Sequence, residues 1–390
     1  MNEQKVSVVM PNYNGEKHIK QAIDSVLGQT YENLELIIVD DNSSDGSKNI
    51  IEAYDDKRLK KVYSSFNRHV SYTVNLGFAE ADGEFIARID SDDIWEPYKI
   101  QKQVDFMRKN PEYGACFTKV KIIDEEGKEA DAKFPDISRM FNEADNKPRK
   151  EWIYQFLRNG NCLCNPSVLM NKKAACQIGL YYNIAYVPAE DFDMWLRMVF
   201  KNPIYLMEET LTRYRWTESE EKISSNGQKH LNSVLNVYAM INMSILEKIE
   251  NEDFCRLFKS EFVYPKSETE LEIECEKAYL LSRCNENNFA ALTYFERILN
   301  TEVGLDTLES KFGFSLKDHY MSYRKRNFYD TNAEDEKKIL EETILQLEDQ
   351  KKKNQKYVKQ ICDMKQKLKE IKRSKSWKVT KPFRKIRSLF

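Results

Sequence analysis

The sequence predicts an α/β fold in which a parallel, Rossmann-like sheet carries helices on both faces. A helical region and a C-terminal coiled-coil-like helix are predicted to follow it. Apolar runs and helical patterns alternate over about the first ninety residues, as in successive βα units. Acidic clusters follow two of these runs, and glycine and proline become rare after about Gly227. In such sheets, ligands bind beyond the carboxyl ends of the strands.

Four apolar runs are predicted as strands, at residues 6–10, 34–39, 61–64 and 84–89. The segments between them carry helical patterns. These are a first helix with Ile19, Ala22, Ile23, Val26 and Leu27 on one face, a second with Ile50, Ile51 and Tyr54 behind a cap at Asp45, and a third at 70–81. Short strands are expected near 115–120 and 168–170, and a helix at 189–200.

The chain of 390 residues is long enough for two or three structural units, since domains usually have about 100–200 residues. The change of composition predicts four parts. They are a catalytic domain at 1–226, a helical region at 227–330, a long helix or coiled coil at 331–372 and a basic tail at 373–390.

Residues 335–371 fit a heptad pattern that is apolar at both ends and polar in the middle. The a positions hold Leu340, Leu347, Asn354, Ile361 and Leu368. A central Asn at an a position favours a two-stranded coiled coil, and hence a homodimer. A single solvated helix remains the alternative interpretation.

Charge is distributed unevenly along the chain. The net charge is −2, yet residues 351–390 hold sixteen Lys and Arg against two acids, Asp363 and Glu370. Residues 373–390 interleave seven of these cations with aromatic and aliphatic side chains, which predicts contact with an anionic membrane surface. Nucleic acid is the rival partner for such a stretch and is not expected here. A plain solvated tail also stays open.

Targeting signals are not evident. No run of about 18 apolar residues is present, and the N-terminus lacks the regions of a signal peptide. The eight cysteines show no zinc-like spacing, which favours reduced thiols. We therefore expect a cytoplasmic protein that is peripheral at the inner face of the cell membrane.

The run Asp90-Ser91-Asp92-Asp93 follows the fourth predicted strand. Three carboxylates within four positions repel one another unless a cation lies among them. Mg²⁺ is often held by one or two carboxylates together with substrate phosphates, so this run is a candidate metal–diphosphate site. An acidic surface turn is the alternative.

Polar residues also follow the first two predicted strands. Tyr13 is placed to stack on a flat ring, and Asp40 to accept a hydrogen bond from a base N–H. Farther along, Glu190 and Asp191 open a predicted helix. Acids suit a helix N-terminus electrostatically, but a carboxylate there can also serve as a general base for an acceptor hydroxyl.

Together these features resemble the family-two glycosyltransferases, a large inverting group with the type-A glycosyltransferase fold. The resemblance covers about residues 5–216. It rests on VSVVMPNYN at 6–14, DSVLGQTY at 24–31, ELIIVDDNSSDGS at 35–47, NLG at 75–77, EFIARIDSDD at 84–93 and EDFDMWLR at 190–197.

The resemblance implies a role for each matching position. Pro11, Asn12 and Tyr13 would line the nucleotide pocket, and Asp40 would contact the base. Asp90 would approach the ribose or the metal. Asp92 would ligate Mn²⁺ or Mg²⁺, and Asp191 would be the catalytic base. The acceptor hydroxyl would displace the nucleotide directly, so that the anomeric configuration inverts.

Two positions depart from the family pattern. His69 stands where many relatives have Gly, and Val74 where many have a basic residue, so Arg68 or His69 is expected to face phosphate instead. The segment 164–167 resembles the acceptor side of the family, where His often precedes Pro, and we interpret it as structural.

The C-terminal end, residues 374–384, resembles a tail of bacterial cell-surface polysaccharide glycosyltransferases. The predicted function is therefore the transfer of a UDP-linked sugar to a glycan or lipid-linked oligosaccharide in surface polysaccharide synthesis. The alternatives are a protein or peptide acceptor and a non-catalytic scaffold.

Overall fold

The computed structural model describes residues 4–217, 228–284 and 289–325, together with 366, 367 and 370. Two compact units divide the chain, residues 1–313 and 314–390. Apart from the three isolated residues, the predicted coiled coil and the basic tail lie outside the described part of the chain. The boundary at 226/227 stays a prediction, since residues on both sides of it belong to the first unit.

Within the described residues, eight strands form one sheet. They are β1 (Val6–Asn12), β2 (Leu34–Asp40), β3 (Leu59–Tyr63), β4 (Phe85–Arg88), β5 (Ile94–Trp95), β6 (Ala115–Ile123), β7 (Leu169–Asn171) and β8 (Ile204–Arg215). Their order is β3-β2-β1-β4-β7-β6-β8-β5. The first four strands are parallel, as predicted.

The other half of the sheet is not uniformly parallel, so the parallel arrangement predicted from the first third of the chain does not extend to the whole sheet. Strand β7 is antiparallel to both β4 and β6, β6 is parallel to β8, and β5 is antiparallel to β8. Apolar periodicity locates a strand but carries no information about its direction, which depends on the connections between strands.

Fourteen helices accompany the described strands. They are α1 (Ile19–Leu27), α2 (Ser47–Glu52), α3 (His69–Glu80), α4 (Lys99–Lys109), α5 (Pro135–Asn142), α6 (Arg149–Asn159), α7 (Lys172–Gln177), α8 (Glu190–Lys201), α9 (Gln228–Ile245), α10 (Asn251–Phe258), α11 (Glu270–Cys284), α12 (Phe289–Leu299), α13 (Gly304–Thr307) and α14 (Leu316–Lys325). No helix within the described ranges is both long and apolar enough to cross a bilayer.

The predicted helix faces pack as expected. Ile19, Ala22, Ile23 and Val26 of α1 are buried in an apolar core with residues of β1, β2 and β4. Helix α3 lies close against the sheet at Gly77, where a Cβ atom would come within 2.3 Å of Val9 Cγ1. This contact explains the glycine of the NLG motif.

The helices after residue 227 pack against α8. Asp193, which is fully buried, accepts hydrogen bonds from Arg197 Nε and from Lys248 Nζ, each at 2.8 Å. Lys201 pairs with Asp253 at 2.6 Å. A buried carboxylate needs such partners because desolvation of an unpaired charge is costly. The ion pairs therefore join the helices at 228–284 to the helix that begins with Glu190 and Asp191.

Candidate active site

The carboxyl ends of β1, β2 and β4 open into a cleft of about 1870 Å³, and α8 begins at the same cleft. Parallel strands bring their carboxyl ends to one edge of a sheet, so residues from three separate βα units meet there. Of the residues assigned from the sequence, Pro11, Asn12, Tyr13, Asp90, Asp92 and Asp191 all line the cleft.

Tyr13 presents an exposed ring to the cleft, with 52% of the residue accessible to solvent. Asn12, directly before it, is buried, and its Nδ2 donates to Asp40 Oδ2 at 2.7 Å and to Ser43 Oγ at 3.2 Å. The amide of Asn12 thus fixes the end of β1 to the loop after β2. Tyr13 is left as the aromatic surface on this side of the cleft.

Asp40 is buried beneath the cleft and does not line it. Its Oδ1 accepts the backbone N–H of Ser43 at 2.9 Å, and its Oδ2 accepts the Ser43 hydroxyl at 2.7 Å as well as the Asn12 amide. The carboxylate therefore supports the loop that carries Asp41. A substitution at Asp40 would disturb the cleft through this loop.

Asp41 lines the cleft in place of its neighbour, and sequence reasoning missed it. Its two carboxylate oxygens accept the backbone N–H of Arg68 at 3.1 and 3.0 Å. Successive side chains at the end of a strand point to opposite sides, so one member of the Asp40–Asp41 pair faces the cleft and the other faces inward. The resemblance assigned the base contact to Asp40, but Asp41 is the member that lines the cleft.

The acidic run after β4 divides into two half-buried members and one buried member. Asp90 and Asp92 are half-buried and line the cleft, whereas Asp93 is fully buried. Asp93 Oδ1 accepts the backbone N–H of Arg215 at 2.8 Å. Burial raises the pKa of Asp93 well above its ordinary value, and the charges of Asp92 and Asp90 raise it further.

Arg215, at the end of β8, holds this run in place and was also missed by sequence reasoning. The residue is buried, and its Nε donates to the Asp92 carbonyl at 2.7 Å. Its Nη1 donates to the carbonyls of Asp124 and Glu125 at 2.6 and 2.8 Å, and Nη2 to Gln21 Oε1 at 3.1 Å. Nothing local distinguishes this arginine among the 61 basic residues of the chain.

Asp191 lines the cleft at the first turn of α8. Its Oδ2 accepts the Asn161 amide at 3.0 Å, and its Oδ1 accepts the Phe192 backbone N–H at 2.8 Å. Burial raises the pKa of Asp191, although the positive charge of Arg88 opposes the shift. A raised carboxyl pKa brings the group closer to the range in which a general base works best at neutral pH.

Glu190 lines the cleft beside Asp191 and is 7% exposed. Burial raises the pKa of this carboxyl, and the adjacent Asp191 charge raises it further. Within the described chain, Glu190 Oε2 has no hydrogen-bond partner. Two neighbouring carboxyls in a dry environment resist being ionised together, so the pair titrates as a unit.

Arg88 connects the two acidic groups. Its guanidinium is buried and makes two hydrogen bonds to the Asp90 carboxylate, at 2.7 and 3.1 Å. Burial opposes the charge of Arg88, yet the pKa is raised because Asp90, Tyr182, Glu190 and Asp191 stabilise the cation. This arginine therefore stabilises negative charge on both the acidic run and the start of α8.

Val74 and His69, which depart from the family pattern, lie in different environments. Val74 is fully buried, while His69 lines the cleft with φ of 68° in the left-handed region. Glycine adopts that conformation without a steric penalty, which explains why Gly suits this position in relatives. Arg68 stacks over Tyr72, at 4.8 Å from the ring centroid, and does not line the cleft. Of the two predicted phosphate-facing residues, His69 is the one that reaches the cleft.

The segment 164–167 is held in place by hydrogen bonds from neighbouring side chains. Trp95 Nε1 donates to the Pro166 carbonyl at 2.9 Å, and Gln103 Nε2 donates to the Ser167 carbonyl at 2.9 Å. Asn165 Oδ1 accepts the Tyr182 hydroxyl at 2.8 Å. These bonds agree with the structural interpretation of the segment, which forms one wall of the cleft.

Among the described residues, no group of three or more His, Cys, Asp or Glu side chains is arranged as a metal cage. Asp90 and Asp92 nevertheless offer oxygen ligands at the edge of the cleft. Such a donor set suits Mg²⁺ or Mn²⁺, which commonly take one or two carboxylates and complete their coordination with water and substrate phosphate.

Sequence comparison identifies the family. The profile of Glycosyl transferase family 2 matches residues 7–171. TuaG of Bacillus subtilis, a putative teichuronic acid biosynthesis glycosyltransferase, is 31% identical over 239 residues, which cover 60% of this chain and 88% of TuaG. The chain belongs to glycosyltransferase family 2. The resemblance drawn from the motifs is thereby confirmed.

A second curated protein is similar over a comparable length of the chain. WfgD of Escherichia coli, a UDP-Glc:alpha-D-GlcNAc-diphosphoundecaprenol beta-1,3-glucosyltransferase, is 29% identical over 231 residues, covering 59% of this chain and 84% of WfgD. The chain spans only 41% of the length of some curated relatives that it matches.

Among solved structures, S. aureus TarS 1-349 in complex with UDP-GlcNAc aligns with a TM-score of 0.50 at 18% identity. The alignment covers 82% of this chain and 92% of that one. At this identity the likeness concerns the fold alone. The mixed α/β sheet with its helices matches the type-A glycosyltransferase fold that the family resemblance implied.

Proposed function

We propose that this family-two member catalyses the inverting transfer of a sugar from a UDP-linked donor to a hydroxyl of a glycan or lipid-linked oligosaccharide in surface polysaccharide synthesis. One observation carries the proposal. The half-buried Asp191 shares a single cleft with Asp90 and Asp92, and Arg88 interacts with both groups. This arrangement supplies a base and an acidic diphosphate site within one cavity.

The donor end of the cleft comprises the carboxyl ends of β1, β2 and β4. Tyr13 offers a ring for stacking on a nucleobase, and Asp41 offers a carboxylate for a base N–H. A UDP-linked donor agrees with two similar proteins, since WfgD is named for UDP-Glc and TarS 1-349 was solved in complex with UDP-GlcNAc. His69 and Asn67 also line the cleft and are the residues proposed to face the phosphates.

The charge of the cleft supports a requirement for a divalent cation. Ten carboxylates and four Lys or Arg line it among the described residues, and two of those cations, Arg88 and Arg215, already serve acidic or carbonyl partners. A diphosphate would meet net repulsion in this field. A cation held by Asp92, with Asp90 beside it, would neutralise the charge that develops on the leaving diphosphate.

Asp191 is proposed as the general base. Its carboxylate would accept the proton of the acceptor hydroxyl as the oxygen attacks the anomeric carbon. The bond from that carbon to the diphosphate then breaks on the opposite face, so configuration inverts. Asn161 orients the carboxylate, and the raised pKa of Asp191 suits proton transfer near neutral pH.

The first test is a screen of nucleotide sugars by thermal stabilisation of the full chain, with Mn²⁺ or with EDTA. Binding to the native state raises apparent stability by mass action, by about 2.7 kcal/mol at a ligand concentration of 100 times Kd. We expect a UDP-sugar to stabilise the protein only with the metal. Failure of every nucleotide sugar would favour the non-catalytic scaffold.

The acceptor is proposed from the same comparison. WfgD is named for a diphosphoundecaprenol-linked acceptor and TuaG for teichuronic acid biosynthesis. A peripheral position at the inner membrane face would bring such an acceptor to the cleft. Co-sedimentation with vesicles of varied anionic lipid content tests this for the full chain and for a chain ending at Ile371. Equal binding of both, without salt dependence, would remove the tail as an anchor.

The proposed homodimer is tested separately. Sedimentation of the full chain is expected to give a dimer, and a chain ending near Thr331 a monomer, if residues 335–371 pair through their heptads. The same mass per particle in both samples would argue for a single solvated helix.

A further inference from the structure

The side chain that holds the proposed base is itself fixed in one orientation. Asn161, on the loop after α6, donates from Nδ2 to Asp191 Oδ2 at 3.0 Å. Its Oδ1 accepts the backbone N–H of Leu163 at 2.9 Å. Because an amide nitrogen cannot accept that N–H, the bond to Leu163 decides which end of the amide faces Asp191. The side chain of Asn161 is therefore held as a donor toward the carboxylate.

The backbone of Asn161 is fixed in turn by Tyr238 of α9. The Asn161 backbone N–H donates to the Tyr238 hydroxyl oxygen at 3.2 Å, across 77 positions of the chain. Gly160, directly before it, has a φ of 77°, and a Cβ atom there would overlap the Tyr238 ring. Glycine adopts this conformation without a steric penalty. The turn at 160–161 thus brings a backbone N–H onto this hydroxyl.

Tyr238 also packs beside the base directly. It lines the cleft together with Asp191, and its ring lies 4.4 Å from that of Phe192, the residue that follows Asp191. Helix α9 lies beyond residues 7–171, which match the family profile. A residue outside the matched part of the chain therefore contacts the neighbour of the base on one side and its hydrogen-bond donor on the other.

We propose that Tyr238 is a positioning residue for the transfer reaction, an inference that rests on the proposed function. Its hydroxyl fixes Asn161, and the amide of Asn161 holds Asp191 in one rotamer with its carboxylate ionised. Without either bond, the carboxylate is free to turn away from the acceptor hydroxyl. A misplacement of about 1 Å can cost 10²-fold in rate.

Other titratable groups surround the Asp191 carboxylate. Glu190 is its neighbour in the chain, the charge of Arg88 favours the ionised form, and the charge of Asp90 opposes it. Three further groups stay uncharged because burial raises the pKa of each: Cys164, Tyr182 and Tyr238. The bond from Asn161 favours the ionised carboxylate. Loss of this bond should therefore raise the pKa of Asp191 while the surrounding charges stay as they are.

The test follows the release of UDP from UDP-Glc and UDP-GlcNAc by the full chain with Mn²⁺, with water in place of the acceptor. Water attacks the anomeric carbon, the bond to the diphosphate breaks, and Asp191 takes the proton. Tyr238→Phe keeps the ring and removes the hydroxyl. We expect kcat to fall by about three- to tenfold, as for one lost hydrogen bond, while KM stays within about twofold of the parent. Thermal stabilisation by UDP with Mn²⁺ should be retained.

Tyr186→Phe is the matched control. The Tyr186 hydroxyl also bonds α9, at Ser244 Oγ at 3.1 Å, but this tyrosine does not line the cleft. Its kcat should equal that of the parent. Equal losses of kcat in both variants would assign the effect to the packing of α9 and overturn the proposal, as would an unchanged kcat in Tyr238→Phe.

Asn161→Asp tests the second bond. An aspartate still accepts the Leu163 N–H, but it offers Asp191 no amide donor and adds a like charge. We expect kcat to fall and its acid limb to move to higher pH by about one unit or more, because the ionised base loses its stabilisation. A lower kcat with an unmoved limb would mark a structural defect and contradict the proposal. Asn159→Asp, exposed and outside the cleft, should keep the parent's pH profile.

The outcomes separate this inference from the proposed function. A parent chain that releases no UDP from any nucleotide sugar refutes the proposed function. A parent that turns over, with Tyr238→Phe and Asn161→Asp both equal to it, refutes the positioning role alone. Loss of UDP binding in Tyr238→Phe also refutes that role, since the hydroxyl would then support the donor end. If Asn161→Asp does not fold, the comparison of Tyr238→Phe with Tyr186→Phe decides.

Discussion

The two ends of the cleft are assembled in different ways. At the end proposed for the donor, each contributing loop directly follows a strand of a βα unit, so a short motif contains both the strand and its cleft residue. The opposite end is lined by residues of α5, the end of β8 and α9, which are far apart in the sequence. The contrast teaches that short motifs report the residues at strand ends, while the opposite end depends on long-range packing.

The largest expected effect falls on the donor end. Asp92→Ala should abolish metal-dependent donor binding, because the diphosphate would enter an acidic cleft without its proposed cation ligand. Thermal stabilisation by a UDP-sugar in Mn²⁺ provides the measurement. Asp55→Ala, an exposed acid outside the cleft, is the control and should behave as the parent. Equal donor affinity of the parent in EDTA and in Mn²⁺ would contradict the prediction.

Asp191→Asn should separate turnover from donor binding. A general base contributes about 10²–10⁴ in rate, whereas an acid that only caps a helix contributes about 0.3–1 kcal/mol to stability. We therefore expect turnover to fall by about that factor while donor binding is retained. Turnover within a few-fold of the parent would move the base elsewhere, and Glu190→Gln would then be the next variant to assay.

Arg215→Lys should weaken both ends together, since this side chain contacts the Asp92 carbonyl and the loop at 124–125. A lysine keeps the charge but cannot reproduce the fixed fork of donors. Loss of a supporting residue around a metal site typically costs about 10–100-fold in metal affinity or activity, and we expect kcat/KM to fall in that range.

Arg213→Lys is the matched control for this experiment. Arg213 lies two residues earlier on β8, is exposed and pairs with Glu96 at 2.6 Å outside the cleft. It should leave kcat/KM unchanged. If Arg213→Lys and Arg215→Lys reduced kcat/KM alike, the effect would belong to the strand and not to the contacts of Arg215.

The smallest effect concerns pH. The proposed base acts when Asp191 is deprotonated, and burial raises its pKa. The rate should therefore fall as the pH drops through this raised value, at a pH above the ordinary aspartate pKa of about 3.9. Glu190→Gln should move this acid limb to lower pH, since like charges raise each other's pKa. An acid limb that is unmoved by Glu190→Gln would show that the two carboxyls do not titrate together.

The sequence predicted the first four strands, the face of α1 and the start of α8, because local periodicity determines these features. Of the seven site residues assigned from the sequence, six line the cleft, since each lies at or just beyond an element end. Asp41 was missed because strand alternation does not say which of two adjacent acids faces outward. Arg215 was missed because one of its hydrogen bonds, to Gln21, spans 194 positions.

The buried Asp193 has a consequence for how such enzymes diversify. One of its cations, Arg197, belongs to α8 itself, but the other, Lys248, belongs to the segment after residue 227. Tyr238, from the same segment, accepts the Asn161 backbone N–H next to the proposed base. The C-terminal helices are therefore not a freely interchangeable module. A chimaera that recombines near residue 227 retains an ordered Asp191 only when its new partner supplies a cation at 248 and a hydroxyl at 238.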